Sequence, residues 1–491
     1  MPAYGPRCTK YLYRYCWLAP RWLKTRTEFL RELEDIFGSR LLVEDIPKSY
    51  WSDETKIEAP PSAVVRPKDA SEVEELVKLA VEFQVPVVAR GSGTGLSGGA
   101  VPVPGCVVVD FTAMNRVLEV RPEDHQVLVE PGVIYDELNA QLAEHGLFLP
   151  PNPASGDQCT IGGMVAENAS GPRSYKYGPT RDWVIGLEVI TPALGRIWVG
   201  SRTRKHVSTY GLTSLFVGSE GTLGLFTKVL FKLAPAPPAR LGVILPFSDI
   251  RDAGRAVYAL FKAGLDISAL ELVDRLTMEA VNKFYKVGFP EEDAVVMLEV
   301  ECWSKDEDRR FSEMELKLAE LEATISALGI SCGEPSVFFN ADEMWSKRAL
   351  AAEALEKVHG CMLMGDVIVP PSRLPELVER IRDLAERYGL SIAIFGHAGD
   401  GHLHPTILVA KEDLFRPDVR EAEREIVKLA VQLGGALSGE HGIGMTRIGL
   451  LELEVSQQVV RLCQELKAVL DPYGIMNPGK KVPIKGARPT P

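Results

Sequence analysis

Glycine occupies positions 91, 93, 95, 98 and 99 of the stretch VPVVARGSGTGLSGGAVPVPG, and the residues just beyond these glycines restrict the fold more than any other feature of the chain. Gly93-Thr94-Gly95-Leu96-Ser97-Gly98 spells G-x-G-x-x-G, which signals a dinucleotide site only where it follows a strand and opens a helix. VPVVAR reads as a short buried strand, so the first condition holds. The second fails, because Pro102 and Pro104 bar a helix and the β-branched run CVVVD takes over. The loop therefore joins strand to strand, and a Rossmann fold does not fit. Its backbone N–H groups can still cradle an anion as a nest.

With 491 residues the chain should form more than one domain, and 46% hydrophobic residues are enough for a large core. A net charge of −12 argues against a nucleic-acid partner, and an anionic substrate would need a local positive pocket. The eight cysteines contain no C-x-x-C pair, which excludes the usual zinc-ribbon and iron–sulfur spacings and suits a reducing cytoplasm. No apolar run approaches the ~18 residues needed to span a bilayer. Residues 1–27 carry six Lys or Arg, many aromatics and no acid. They read as a packed terminal segment, or as an arm that docks a partner or a membrane surface at its inner face.

SEVEELVKLAVEFQ, residues 71–84, predicts a helix with a Ser71/Glu74 capping box and an apolar face of Val73, Leu76, Val77 and Ala80. VIYDELNAQLAEHG predicts a second helix ending at Gly146. The strand-like runs around them cluster rather than alternate with helices, so the class is α+β. The Pro/Ala-rich seam 233–241 is the expected boundary to a second α+β region, and the helix of the C-terminal tail should stop at Pro472 and Gly474.

Chemistry concentrates in two places. The loop 149–178 is too long for a plain turn: Gly162-Gly163 permits close approach to a flat ligand, and Ser155, Thr160 and Asn168 offer hydrogen bonds. With 217–224 and the loop at 91–99, three glycine-rich loops suggest one extended cofactor. The second place holds four of the eight histidines. In FGHAGDGHLHP the turn chemistry predicts a hairpin across which His397 and His404 face each other. With Glu440 they make a two-His-one-carboxylate set suited to Zn, Mn or Fe. His441 is expected to act as a general base near neutral pH, provided Gly439 and Gly442 bend the backbone so that 440 and 441 both point inward. His402 shares a strand face with His404 and is expected either as a further ligand or behind the ligands. Arg348, three residues after Trp345 on a predicted helix, could grip a carboxylate bidentately.

Taken in order, RGSGTGLSGGA, PPNPAS…TIGGMVAENASG, VGSEGTLG, GHAGDGHLHP, SGEHGIG and MNPGK resemble the FAD-linked 2-hydroxy-acid dehydrogenases of the vanillyl-alcohol-oxidase type, among them D-lactate dehydrogenases and the flavin subunit of glycolate oxidase. The resemblance covers about residues 55 to 480. It implies an FAD-binding domain of two subdomains at 51–235, after an extension at 1–50. A ferredoxin-like α+β cap domain at 236–450 and a C-terminal segment at 451–491 that returns to the flavin complete the expected fold. The loop of Arg90, Gly91, Ser92, Gly93, Thr94, Gly95, Leu96 and Ser97 is expected to cradle the FAD pyrophosphate. Pro153, Ser155, Gly156, Thr160, Gly162, Gly163, Asn168 and Gly171 should run along the flavin, with Glu220, Gly221 and Asn477 closing the site. No histidine lies in the 91–95 loop, so non-covalent FAD is expected. By the same resemblance His397, His404 and Glu440 are the ligands of a divalent metal, His441 is the catalytic base and Arg348 holds the substrate carboxylate.

The implied reaction is oxidation of a 2-hydroxy acid to the 2-oxo acid by hydride transfer to flavin N5. Members acting on D-2-hydroxyglutarate place a lysine and an asparagine where this chain has Met364 and Pro405-Thr406, so a small monoacid, glycolate or D-lactate, is expected first, with a D-2-hydroxyglutarate-type dehydrogenase as the alternative. The resemblance further implies a homodimer and an iron–sulfur or other electron-acceptor subunit, since the chain has no cluster motif of its own. Two other classes compete with this one. A metal-dependent hydrolase would leave the glycine loops unexplained, and a non-catalytic scaffold would have no use for His441 and Arg348.

Overall fold

The computed structural model of the chain describes residues 19–327 and 329–484, with side chains from Arg26 onward. Most of the basic aromatic arm expected at 1–27 lies outside the described residues. The helix Ala70–Phe83 buries Val73, Leu76, Val77 and Ala80 as its spacing predicts. Its cap differs from expectation. Asp69 caps it, accepting from the backbone N–H of Ser71 and Glu72, so Ser71 falls inside the first turn and no capping box forms. A carboxylate at the N-cap satisfies free N–H groups and also favours the helix dipole, which explains why it displaces the serine. Glu74 instead pairs with Lys78 and Arg196.

That helix leads into a four-stranded sheet in which Ala63–Val65 and Val87–Arg90 both run parallel to Val107–Asp110. Residues 91–106 join two adjacent parallel strands with no helix between them, as the prolines require. Beside it stands an antiparallel sheet of five strands, in the order Val117–Arg121, Gln126–Val129, Leu225–Lys232, Val184–Thr191 and Gly195–Gly200.

The remainder builds an antiparallel sheet of eight strands. Along Ala239–Phe247, Leu241, Val243 and Leu245 pack against the helices Ile250–Ala263 and Leu374–Tyr388, while Ile244 faces the other side with Val273, Met297 and Phe395. This second face also carries Glu271 and Glu299, both fully buried. Charges in such a place must be paired.

Candidate active site

A continuous cavity of about 1110 Å³ runs between the glycine loops of the first region and the charged sheet face of the second. Arg90, Gly91, Ser92, Gly93, Thr94, Gly95, Leu96, Pro153, Ser155, Gly156, Thr160, Gly162, Gly163, Glu220 and Gly221 line it, and so do Arg348, His397, His404, Glu440 and His441. Ser97, Asn168, Gly171 and Asn477 stand behind its wall. The Ser97 carbonyl accepts the backbone N–H of Met445 and Thr446, Asn168 ends the helix Ile161–Glu167 in a left-handed turn, and Gly171 packs on Asn152. Asn477 donates to the carbonyls of Gly99 and Glu220 at 2.9 and 2.7 Å, tying the C-terminal segment to two glycine loops.

The glycine loop is built to be approached closely. A Cβ on Gly91 would lie 2.0 Å from Thr160 Oγ1, the atom that caps Ile161–Glu167 by accepting from Gly163 N. Arg90 does not project into the cavity with its charge; it donates to the carbonyls of Ser49 and Ser52 and holds the loop from behind. On the cavity wall Glu167 Oε2 is buried without a hydrogen-bond partner, an unspent group of the kind a polar ligand satisfies, and behind the wall Ser97 Oγ and Asn477 Oδ1 lack partners too. Burial, with Glu220 beside it, holds the Glu167 carboxyl well above the usual range. Gly91→Ala should force Thr160 aside, uncap the helix Ile161–Glu167 and strip the cofactor. Purified protein should lose most of its yellow flavin absorbance, and normal flavin content would contradict the assignment of the cradle.

The hairpin predicted around AGDG is present, with Ser391–Gly396 antiparallel to His402–Leu408 and Phe395 opposite His404. Both expected ligand histidines present Nε2 to the same carboxylate oxygen. Glu440 Oε1 lies 3.3 Å from His397 Nε2 and 3.2 Å from His404 Nε2. Their Nδ1 atoms are held elsewhere, His397 by Glu271 and His404 by the carbonyl of Gly365. A partner on Nδ1 fixes the ring and leaves Nε2 as the donor to a metal. Ser170 Oγ donates to Glu440 Oε2 at 2.6 Å. His397, His402, His404 and Glu440 each bring a ligand atom within 4.8 Å of the others. His402 Nε2 is also 2.7 Å from Asp366 Oδ1. Two imidazoles and a carboxylate fit a borderline divalent ion. Burial opposes the charge on His397, but Glu271 and Glu440 outweigh it and raise its pKa well above the ordinary value.

Glu440 and His441 are neighbours that both face the cavity, and the device that allows this is Asp366. Its carboxylate accepts the backbone N–H of Gly439, Glu440 and His441 at 3.1, 3.2 and 3.0 Å. Ser438 Oγ, Arg447 Nη1 and His402 add bonds at 2.5, 2.8 and 2.7 Å. Gly442 then turns the chain with φ +82°. On the far side Glu220 accepts from Ile443 N at 2.9 Å and Gly444 N at 2.7 Å, pinning the same loop to the first region. His441 stacks on His404 with centroids 4.9 Å apart and rings 8° from parallel, and its Nδ1 has no partner. Burial pushes its pKa down to about 3, and Asp366 only partly offsets this. The imidazole is therefore neutral, well below the near-neutral tuning expected from the sequence. Arg348 sits on the helix Ala341–Ala349, with Nε donating to Glu271 Oε2 at 2.8 Å and its guanidinium over the Phe395 ring.

Glu271, Asp366 and Ser170 are site residues that the sequence reasoning misses. The signal exists for the first two: each is an acid inside an apolar strand-like run, ISALELV and MLMGDVIV. A buried acid there must have a partner.

The family described as "FAD binding domain" matches residues 61–201, and "FAD linked oxidases, C-terminal domain" matches residues 236–481. The glycolate oxidase subunit GlcD of Bacillus subtilis (strain 168) is 36% identical over 424 residues, 86% of this chain and 88% of that protein. A D-lactate dehydrogenase of Archaeoglobus fulgidus is 35% identical over 449 residues, 90% of this chain and 97% of its own length. Among solved structures, p-cresol methylhydroxylase with substrate bound shares the fold with a TM-score of 0.77 at 17% identity, covering 95% of this chain and 98% of that one. Together the cradle, the second region beyond it and these matches make the chain a FAD-linked oxidoreductase, a member of the FAD-linked oxidase family.

Proposed function

We propose that the chain oxidises a small 2-hydroxy acid, glycolate or D-lactate, to the 2-oxo acid. The observation that carries this reading is one cavity wall bearing a neutral buried base, a two-histidine carboxylate set and an arginine. FAD, when bound, supplies the acceptor for the hydride that leaves C2. The chain's own residues do the rest. Arg348, its Nε tied to Glu271, turns the rest of its fork to the substrate carboxylate and fixes the acid in one orientation. His441, neutral with a free Nδ1, takes the hydroxyl proton. A divalent ion held by His397, His404 and Glu440 would supply Lewis acidity that makes that hydroxyl easier to deprotonate. The names of the Bacillus and Archaeoglobus relatives support the substrate class.

The cofactor is held non-covalently in this reading. The Bacillus relative is named a subunit, and we extend that to this chain: electrons leave reduced FAD for a partner chain. Among the described residues no helix is long and apolar enough to cross a membrane.

Metal removal tests the reading. Chelation should abolish bleaching of bound flavin by glycolate and D-lactate, and Zn, Mn or Fe should restore it. Binding must displace the proton on His397, so metal affinity should fall as pH falls and binding should release protons, seen by calorimetry in two buffers. Unchanged bleaching after verified metal removal would contradict it.

A further inference from the structure

We propose that Ser170 is a positioning residue through which the flavin side of the cavity sets the metal ligand Glu440, so that FAD and the divalent ion each tighten the other's binding; this rests on the metal reading above. All three expected ligands belong to the second region: His397 and His404 at the hairpin, and Glu440 on the loop that follows the helix Pro417–Gln432. The hydroxyl that orients Glu440 comes from the first region, 270 positions away in the chain.

The two oxygens of Glu440 have separate tasks. Oε1 lies 3.3 Å from His397 Nε2 and 3.2 Å from His404 Nε2. Oε2 accepts from Ser170 Oγ at 2.6 Å. Asp366 holds the backbone of residues 439–441 but leaves the carboxyl group free to rotate. The bond to Oε2 stops that rotation and keeps Oε1 aimed between the imidazoles. Glu220, the other tie from the first region, reaches only the backbone beyond Gly442, at Ile443 and Gly444. Ser170 reaches the ligand itself.

Ser170 is fixed on its own side. Asn168 turns the chain with φ +58°, and its Oδ1 accepts from Arg181 N at 2.8 Å. The Ala169 carbonyl accepts from Thr180 N at 3.1 Å and from Thr180 Oγ1 at 2.6 Å. A Cβ on Gly171 would lie 2.1 Å from the Asn152 carbonyl oxygen. Ala169, Ser170 and Pro172 line the cavity beside Asn152 and Pro153, on the side expected to run along the flavin. Ser170 is itself buried, so little water competes for its bond to Glu440. This stretch of wall therefore serves both ligands. A cofactor packed against it restricts Ser170 and, through it, Glu440 Oε2. An ion on Oε1 restricts Glu440 and, through it, the wall. Each favours the arrangement the other needs, and linkage makes the two effects equal.

The test starts from FAD-loaded protein freed of metal by chelation, and it reads cofactor release rather than turnover. Zn²⁺ and Mn²⁺ are first titrated by calorimetry, with Glu440→Gln as the control that assigns the heat to this site. FAD release is then measured by ultrafiltration across a dilution series, with and without a saturating amount of the ion that binds. The ion should lower the FAD dissociation constant about tenfold. Ser170→Ala should reduce that factor to about twofold or less, and Ser170→Thr, which keeps the hydroxyl, should restore most of it. The factor is a ratio within one protein, so a variant that merely holds FAD less well leaves it unchanged. An ion that binds the loaded protein without changing FAD release overturns the proposal, and so does a full-sized effect that survives Ser170→Ala. If neither ion binds, or if binding survives Glu440→Gln at undiminished affinity, the metal reading itself fails and this proposal with it.

Discussion

His441→Asn should slow flavin reduction by a 2-hydroxy acid by about 10³-fold, within the range removal of a general base produces, while FAD stays bound. The side chain is largely buried and stacked on His404 at the cavity wall, and its backbone N–H is anchored on Asp366. Asparagine keeps polarity and much of the volume but cannot take a proton. The pH profile carries the sign. A base whose pKa is pushed down to about 3 is unprotonated from pH 5 upward, so His441 should produce no acidic limb in the reduction rate above that pH. Stopped-flow flavin bleaching of both proteins between pH 5 and 9 checks both statements. A variant within tenfold of the unaltered protein would remove His441 as the base.

The second large effect belongs to a residue that touches no reactant. Asp366→Asn should cost about 3–5 kcal/mol of stability, because Arg447 is left buried without its counter-charge. The amide's N–H₂ must also face donors that now bond to a carboxylate oxygen. Released from that anchor, Glu440 and His441 need no longer face the cavity together. Flavin reduction should then fall about 10²-fold, with metal affinity falling in parallel. Urea titration and metal titration read the two consequences separately. Normal metal affinity and turnover in a merely less stable variant would reduce Asp366 to a packing role.

How much of this is legible in the sequence depends on range. The glycine loop reads as a strand-to-strand connection because Pro102 and Pro104 act locally. The 397–404 hairpin is legible because turn chemistry sets its register. The need for a bend at 439–442 is legible too, since neighbouring strand side chains diverge. What supplies the bend is not: Asp366 lies 73 to 75 positions away, and nothing within the loop points to it. Glu271 meets His397 across 126 positions, and is hidden for the same reason. The helix cap at Asp69 escapes at short range, where two nearby capping residues compete. The His441 pKa escapes because burial, invisible in a sequence, dominates it.

Anaerobic mixing of the FAD-loaded protein with glycolate, D-lactate and L-lactate, followed at the flavin band at about 450 nm, tests the central claim most directly. Glycolate or D-lactate should bleach the flavin, and L-lactate should be inert. A yellow protein that none of these acids bleaches, with metal present, would contradict oxidation of a small 2-hydroxy acid by this chain.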